Sequence, residues 1–249
     1  SEMPIAPFQR QFRSLVFGAS TSWGLEKVDE ESLPPIDTSD MKRDRLDGSF
    51  TKLDLARTRA LTYDFAIPNI DASYYANRET WRVTFAPVIG QALPLIANSP
   101  DWAQIRRIYA RPRRRSQPDN NVSSTSLTNW SVVLEAPDPL WYADTATSVA
   151  AASSITIPNL GNWPGPGPTP SITTLTISTA STLTTSNGGS IVFAGTGPWT
   201  IDLATHIVTG GNGYTDIVQP SNWFLVDPGG ITASVTAGTV ACTTRDSWL

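Results

Sequence analysis

The sequence predicts a mainly β protein with one short helix, arranged as a charge-rich N-terminal β domain followed by a C-terminal β-sandwich. Three observations carry this. Short β-prone runs alternate apolar and polar residues, with turn signals roughly every eight to twelve positions. The 20 prolines and 17 glycines among 249 residues are spread along the chain as punctuation, which argues for many turns rather than a low-complexity tract. Charge is divided sharply: from Thr145 to Leu249 the charged residues are Asp202, Asp216, Asp227, Arg245 and Asp246 alone.

In the first half, Phe12–Phe17 reads as a strand, residues 18–21 as a turn, and Trp23–Val28 as a second alternating run. Residues 29–50 are charged and carry Pro34, Pro35 and Gly48, so they read as a long loop or arm that orders against a partner. Arg59–Ile67 is a strand with Leu61, Tyr63, Phe65 and Ile67 on one face. Asn77 is placed to cap a helix running to about Phe85, on which Trp81, Phe85 and Ile89 recur at helical spacing until Pro87 stops it. Strands follow at Leu93–Ile96, Ile105–Arg111 and Trp130–Ala136.

Residues 143–154 are small and polar, with no helix or strand signature, and prolines 158–170 form a stiff entry to the second domain. The expected boundaries are therefore 1–142, a linker and entry segment 143–169, and a sandwich 170–249. Its strands are expected over Pro170–Thr179, on both sides of the Asn187-Gly188-Gly189 hairpin signal, and at Pro198–Leu203, His206–Thr209, Trp223–Val226 and Ile231–Val240.

Several function classes lose support at once. A formal net charge of −4 gives no general reason to expect nucleic acid or an anionic membrane as partner. Cys242 is the single cysteine, so neither an intrachain disulfide nor a thiolate metal cluster can form, which fits maturation in a reducing cytosol. Ser-Glu-Met-Pro at the start lacks the pattern of a signal peptide, and no run approaches the ~18 apolar residues of a membrane span. His206, the single histidine, cannot build a multi-histidine metal site, and no Ser/His/Asp arrangement surrounds it; a structural or surface role is expected. The acidic run Asp29, Glu30, Glu31 falls in a loop, and nothing selects a glycosidase pair from it. Gly195–Gly197 and Gly210–Gly213 precede no helix and lack the P-loop lysine, so they read as turns. Asn121-Val-Ser and Asn129-Trp-Ser match the glycosylation pattern, which is idle without secretion. No catalytic residue, metal ligand or cofactor is expected.

Two features remain. Arg106, Arg107, Arg111, Arg113, Arg114 and Arg115 fall within ten residues. With Tyr109 as the one interleaved aromatic, a nucleic-acid platform is disfavoured. Solvation, or pairing with the acidic Glu26–Glu31 stretch of the same or a neighbouring subunit, is expected instead. There are also nine tryptophans, of which Trp141, Trp163, Trp199, Trp223 and Trp248 belong to the second half or its entry. Buried, they fill a sandwich core; exposed, they offer faces to sugars.

Several segments in order resemble one family. Arg45-Leu-Asp-Gly-Ser-Phe50 with Arg57–Thr62, Thr84-Phe-Ala-Pro87 with Leu93-Pro-Leu95, and Arg107-Ile-Tyr-Ala-Arg-Pro112 are similar to its first domain, with Ala110 where the family has glycine. Glu135-Ala-Pro-Asp-Pro-Leu-Trp-Tyr142 resembles the end of that domain, and Asn159-Leu-Gly-Asn-Trp-Pro164 with Pro168–Pro170 the entry to the second. Ser221–Gly229 and Thr244-Arg-Asp-Ser-Trp-Leu249 resemble its closing motifs. The family is that of the distal tail proteins, or minor tail proteins, of long-tailed (siphovirus-type) bacteriophages, especially those of actinobacteria.

The resemblance implies a ring-forming N-terminal domain, a galectin-like C-terminal sandwich and a hexameric ring in the virion tail tip, assembled in the host cytoplasm. The implied partners are further copies of the chain, the tail tube protein, the tape measure and the tail hub or tip proteins, with receptor-binding proteins or cell-surface glycan as further candidates. In such a ring Glu26, Asp29, Glu30 and Glu31 are candidates to meet Arg106, Arg107, Arg111, Arg113, Arg114 and Arg115 of the next subunit. Asp138, Pro139, Trp141, Tyr142, Asn162 and Trp163 are candidates to fix the domain junction. The alternative is a carbohydrate-binding module in the sandwich. A cell-wall hydrolase has no recognisable nucleophile, metal set or acid pair behind it.

Overall fold

Phe12, Phe17, Tyr63 and Phe65 alternate with more polar neighbours along their strands, and strand geometry turns all four to one side, where they are fully buried. The computed structural model describes residues 5–37, 41–42, 49–50, 55–68, 73–87, 89–116, 127–179 and 182–249. The chain is mainly β with one α-helix, as the sequence predicts, and divides into two compact units, Ser1–Pro139 and Leu140–Leu249.

The first unit is built on β1 (Gln9–Phe12), β2 (Leu15–Gly18), β3 (Gly24–Asp29), β4 (Arg59–Pro68), α1 (Ser73–Thr84), β5 (Leu93–Ala97), β6 (Arg106–Ser116) and β7 (Leu127–Ala136). The strands form an antiparallel sheet in the order β2-β1-β5-β6-β7-β4-β3. The terminal strands approach each other where the Gly18 N–H donates to the Trp23 carbonyl (2.9 Å). Its inner face carries Leu61, Leu95, Ile108, Trp130, Val132 and Leu134 beside the four aromatics. Helix α1 covers that face with Trp81, one turn before Phe85; the Trp81 ring centroid lies 4.6 Å from Phe85, 5.1 Å from Phe65 and 5.3 Å from Trp130.

Four expectations for this unit are corrected. Phe12–Phe17 is two strands, because Arg13 adopts a left-handed backbone (φ 54°) and turns the chain into a hairpin. The helix begins at Ser73 rather than Asn77, with no proline or glycine between them to stop it. Ile89 is 97% exposed: Pro87 ends the helix first, so the helical spacing does not reach it. The arm is not a plain loop. Ile36–Asp37 pairs with Leu55–Ala56, and Met41–Lys42 with Ser49–Phe50. At its root the Arg57 N–H donates to the Pro35 carbonyl (2.7 Å). Most of the Arg45–Phe50 motif and the Asn121 sequon lie outside the described residues.

The second unit is a two-layer sandwich. Its strands are β8 (Trp141–Ala143), β9 (Thr147–Ala152), β10 (Ser154–Ile157), β11 (Thr174–Ile177), β12 (Thr182–Thr185), β13 (Ser190–Phe193), β14 (Trp199–Asp202), β15 (Ile207–Thr209), β16 (Ile217–Asn222), β17 (Ile231–Val235), β18 (Val240–Thr244) and β19 (Ser247–Trp248). One antiparallel sheet has the order β9-β18-β11-β14-β15 and the other β10-β17-β12-β13-β16. Alternation sends Leu175, Ile177, Leu183, Ile191, Trp199, Ile201, Ala233 and Val240 into the shared core and leaves Ser and Thr outside.

Residues 143–169, expected to be a linker without strands, contain β9 and β10, one in each sheet; alanine, serine and threonine there pack as edge-strand residues despite weak patterning. Trp223–Val226 is not a strand. The strand is β16 just before it, which tolerates Pro220 because it lies at a sheet edge. Ile231–Val240 splits into β17 and β18 around a turn at Gly238.

Two buried polar hubs hold the ends of this sandwich. The Asp216 carboxylate accepts from the Trp199 indole N–H (2.9 Å), the Asn212 backbone N–H (2.8 Å) and the Asn212 amide (3.0 Å). A Cβ on Gly195 would lie 2.2 Å from the Asp216 carboxyl carbon, so glycine is required there. Asn159, 2% exposed, donates through Nδ2 to the carbonyls of Val226 and Trp163 (both 2.9 Å). Its Oδ1 accepts from the backbone of Ser247 and Gly161 (both 3.1 Å). Gly161 passes so near Ser247 that a Cβ would fall 1.7 Å from its carbonyl oxygen. Replacing Asn159 with alanine orphans several buried backbone groups and is expected to cost about 1–3 kcal/mol, read as a lower midpoint in urea unfolding. An unchanged midpoint would remove Asn159 from this role.

Candidate functional site

The acidic stretch is not one patch. Glu26 on β3 and Glu31 just past its end are exposed and Asp29 is half-buried, while Glu30, the residue after the strand, turns inward, 5% exposed. There the Arg10 guanidinium grips it in a two-pronged pair, Nε to Oε1 at 2.9 Å and Nη2 to Oε2 at 2.6 Å, and the Tyr63 hydroxyl donates to Oε1 at 2.5 Å. Arg10 also donates to the Asn98 carbonyl (3.2 Å). Burial acts to lower the Arg10 pKa, but the bond and charge of Glu30 outweigh it and hold the guanidinium above its usual value. Burial pushes the Tyr63 phenol well up, and the Glu30 charge adds to this. Glu30, a candidate for subunit contact from sequence, is thus committed inside its own domain.

Above this pair an open groove of about 680 Å³ runs between β3 and the β1–β2 hairpin, lined among others by Phe8, Gly18, Leu25, Val28, Asp29 and Glu31. Glu26 lines a different depression, with Lys27 and Asp64.

All six arginines of the cluster lie on β6, and the contacts described for Arg106, Arg111, Arg113 and Arg115 are all with residues outside the 26–31 stretch. Arg106 stacks over the Trp102 ring at 4.5 Å, and burial lowers its pKa to about 10. Arg107 is half-buried, opposite Ile96. A bulge between Pro112 and Arg114 puts Arg113 beside Arg111, and both reach Glu135 on β7: Arg111 Nη2 at 3.0 Å, Arg113 Nη2 at 2.8 Å and Nε at 3.0 Å. The Arg113 hydrogen bond, with help from Arg111, holds the Glu135 carboxyl below its usual range against the opposing effect of desolvation. Arg115 donates to the Arg82 carbonyl at the end of α1 (2.7 Å). Arg114 is exposed and carries no ion pair among the described residues.

The remaining candidates are structural in their own units. Asp138 and Pro139 are buried at the end of the first. In the second, Trp141 and Tyr142 pair with Trp248 and Ser247, and the Tyr142 hydroxyl accepts from the Gly167 N–H (2.9 Å). Asn162 Oδ1 accepts from the Leu249 N–H (3.0 Å), and the Trp163 N–H donates to the Ser247 carbonyl (3.3 Å). Trp199 is fully buried; Trp163, Trp223 and Trp248 are half-buried, and the His206 ring stacks on Trp223 at 4.1 Å. No tryptophan of the second unit is fully open to solvent among the described residues. Cys242 is in the core, where burial pushes its thiol up to about 12. Among the described residues no group of three or more His, Cys, Asp or Glu side chains is placed to hold a metal, and no helix is long and apolar enough to cross a membrane.

No family model and no curated protein matches the sequence. Solved structures do match. The crystal structure of phage SPP1 Dit (gp 19.1), described as a paradigm of the hub adsorption apparatus in phages infecting Gram-positive bacteria, superposes with a TM-score of 0.63 at 15% identity, over 91% of this chain and 94% of that one. This chain shares its fold with SPP1 Dit. Two structures of the phage P2 baseplate in its activated conformation, with Ca and with Sr, match with a TM-score of 0.49 at 7% identity, over 97% of this chain and 99% of theirs.

The Arg10–Glu30–Tyr63 cluster gives a direct stability test. Glu30→Ala leaves a buried guanidinium without its partner and is expected to cost about 3–5 kcal/mol. Replacing both partners, as Arg10→Met with Glu30→Leu, is expected to cost much less. Equal losses for the single and double variants, measured by denaturant unfolding, would show that packing rather than charge pairing dominates here.

Proposed function

We propose that this chain is a non-enzymatic structural protein of a phage tail tip, whose copies close into a ring joining the tail tube to the tip and anchoring neighbouring tail proteins. One observation carries the reading: the likeness to SPP1 Dit runs through nearly the whole of both chains, so it includes both units in order. The motifs that resemble the distal tail family, spread from the first domain to the last residues, support it independently. By the same resemblance the ring is hexameric, sits in the virion, assembles in the host cytoplasm and contacts the tube, tape measure and hub proteins. Sugar binding by the sandwich gains nothing from the structure, since Trp223 is already faced by His206 and Trp199 is buried.

The mass of the purified chain across protein and salt concentrations, with negative-stain images of the same samples, tests the ring. A closed assembly of about six copies is expected. Open filaments, or monomers under every condition, would count against it. Within this reading Asp138, Pro139, Trp141, Tyr142, Asn162 and Trp163 secure the passage between the two domains. Asp138→Ala and Trp141→Ala are expected to impair folding or ring assembly, and normal rings from both variants would refute that assignment.

A further inference from the structure

The groove beside β3 has two properties that suit it to a basic partner. It is negatively charged: Glu30 at its base is neutralised by Arg10, but Asp29 and Glu31 are not part of that pair. It is also apolar at the rim, where Phe8 is 58% exposed and Val28 39%. Phe8 is held in a left-handed backbone (φ 63°), a conformation that suits a large aromatic poorly, so its display at this rim is costly on two counts.

The same domain carries the complementary surface elsewhere. Arg113, Arg114 and Arg115 form the exposed end of β6, and Glu135 offsets only part of their charge. The register shows that the two surfaces do not meet within one copy. Arg114 lies opposite Val133, Val133 opposite Thr62, and Thr62 opposite Asp29. Three strand spacings therefore separate Arg114 from the groove's edge, about 14 Å at ~4.8 Å each. A chain with a negative apolar groove and a distant positive end has the two halves of a heterologous contact.

We propose that the groove receives the Arg113–Arg115 end of β6 from the next copy of this chain. The proposal rests on the ring reading and adds where the copies meet. Arginine suits the site, because its stem packs on apolar surface and its guanidinium both stacks on an aromatic ring and pairs with carboxylate. Asp29 and Glu31 supply the carboxylates, and Phe8 the ring.

The test uses the full chain with Glu31→Arg and Arg114→Glu, made separately, together in one chain, and mixed in equal amounts. Both positions are exposed, and melting curves of each variant report folding. Either reversal alone is expected to raise the concentration needed for half-assembly by at least about tenfold at low salt. The double variant and the mixture are expected to recover, because each restores opposite charges across every contact. In the mixture, copies must alternate, so isotope-labelled native mass spectrometry should show equal numbers of the two variants in each ring. Phe8→Asn relieves the left-handed backbone and is expected to weaken assembly without lowering the melting temperature.

The outcomes separate the two readings. Wild-type rings that persist in both single variants overturn the groove contact and leave the ring standing; a basic segment of another tail protein then becomes the candidate occupant. Single variants that fall apart but do not recover on mixing also overturn it, since the charges are then not paired with each other. A wild-type chain that never assembles removes the ring reading and this contact with it.

Discussion

One short helix holds the first domain together through two rings. A seven-stranded antiparallel sheet has a single apolar face to hide, and it is covered by Trp81 of α1 and Phe85 just past the helix, packed with Trp23, Phe65 and Trp130. Stacked, tilted and edge-on contacts of this kind add to area burial, and loss of a fully buried tryptophan typically costs about 3–5 kcal/mol. The two terminal strands of the sheet approach each other at Gly18 and Trp23, and the groove lies between them. The groove is the place where the sheet runs out before it closes.

The second domain solves the same problem with almost no charge. Its two five-stranded sheets hide aliphatic faces against each other, and neutral Ser and Thr face outward. Two of the polar groups it buries are satisfied several times over: Asp216 by three donors, and Asn159 by two donors and two acceptors. This explains why the asparagine-leucine-glycine-asparagine-tryptophan entry and the arginine-aspartate-serine-tryptophan ending matter as sequence motifs. They are two halves of one hydrogen-bonded clasp, with Asp246 accepting from the Leu160 N–H (2.8 Å) and Arg245 reaching the Ala143 carbonyl (2.7 Å).

Fold class was legible in the sequence because strand alternation and turn residues are local signals. The long ladder of β4 and β7 was visible in Arg59–Ile67 and Trp130–Ala136 for that reason. β9, β10 and β16 were not: alanine, serine and threonine with one proline give little contrast, and only their positions at sheet edges make them strands. The acidic and basic clusters could be seen as clusters, but not divided. Which carboxylate turns inward depends on Arg10 and Tyr63, twenty and thirty-three positions from Glu30. Glu135, the partner of Arg111 and Arg113, was hidden for the same reason, since its contact is set by register between two strands.

The root of the arm has a consequence for how this protein can vary. The chain leaves the first domain at Pro35 and returns at Arg57, and the backbone bond between them brings departure and return to one point. Closure at this one point means that the entropy of closing the excursion depends only weakly on its length. Doubling such an excursion costs only about 0.6 kcal/mol in closure entropy. A longer or shorter excursion between Pro35 and Arg57 is therefore expected to change the closure cost of the first domain very little.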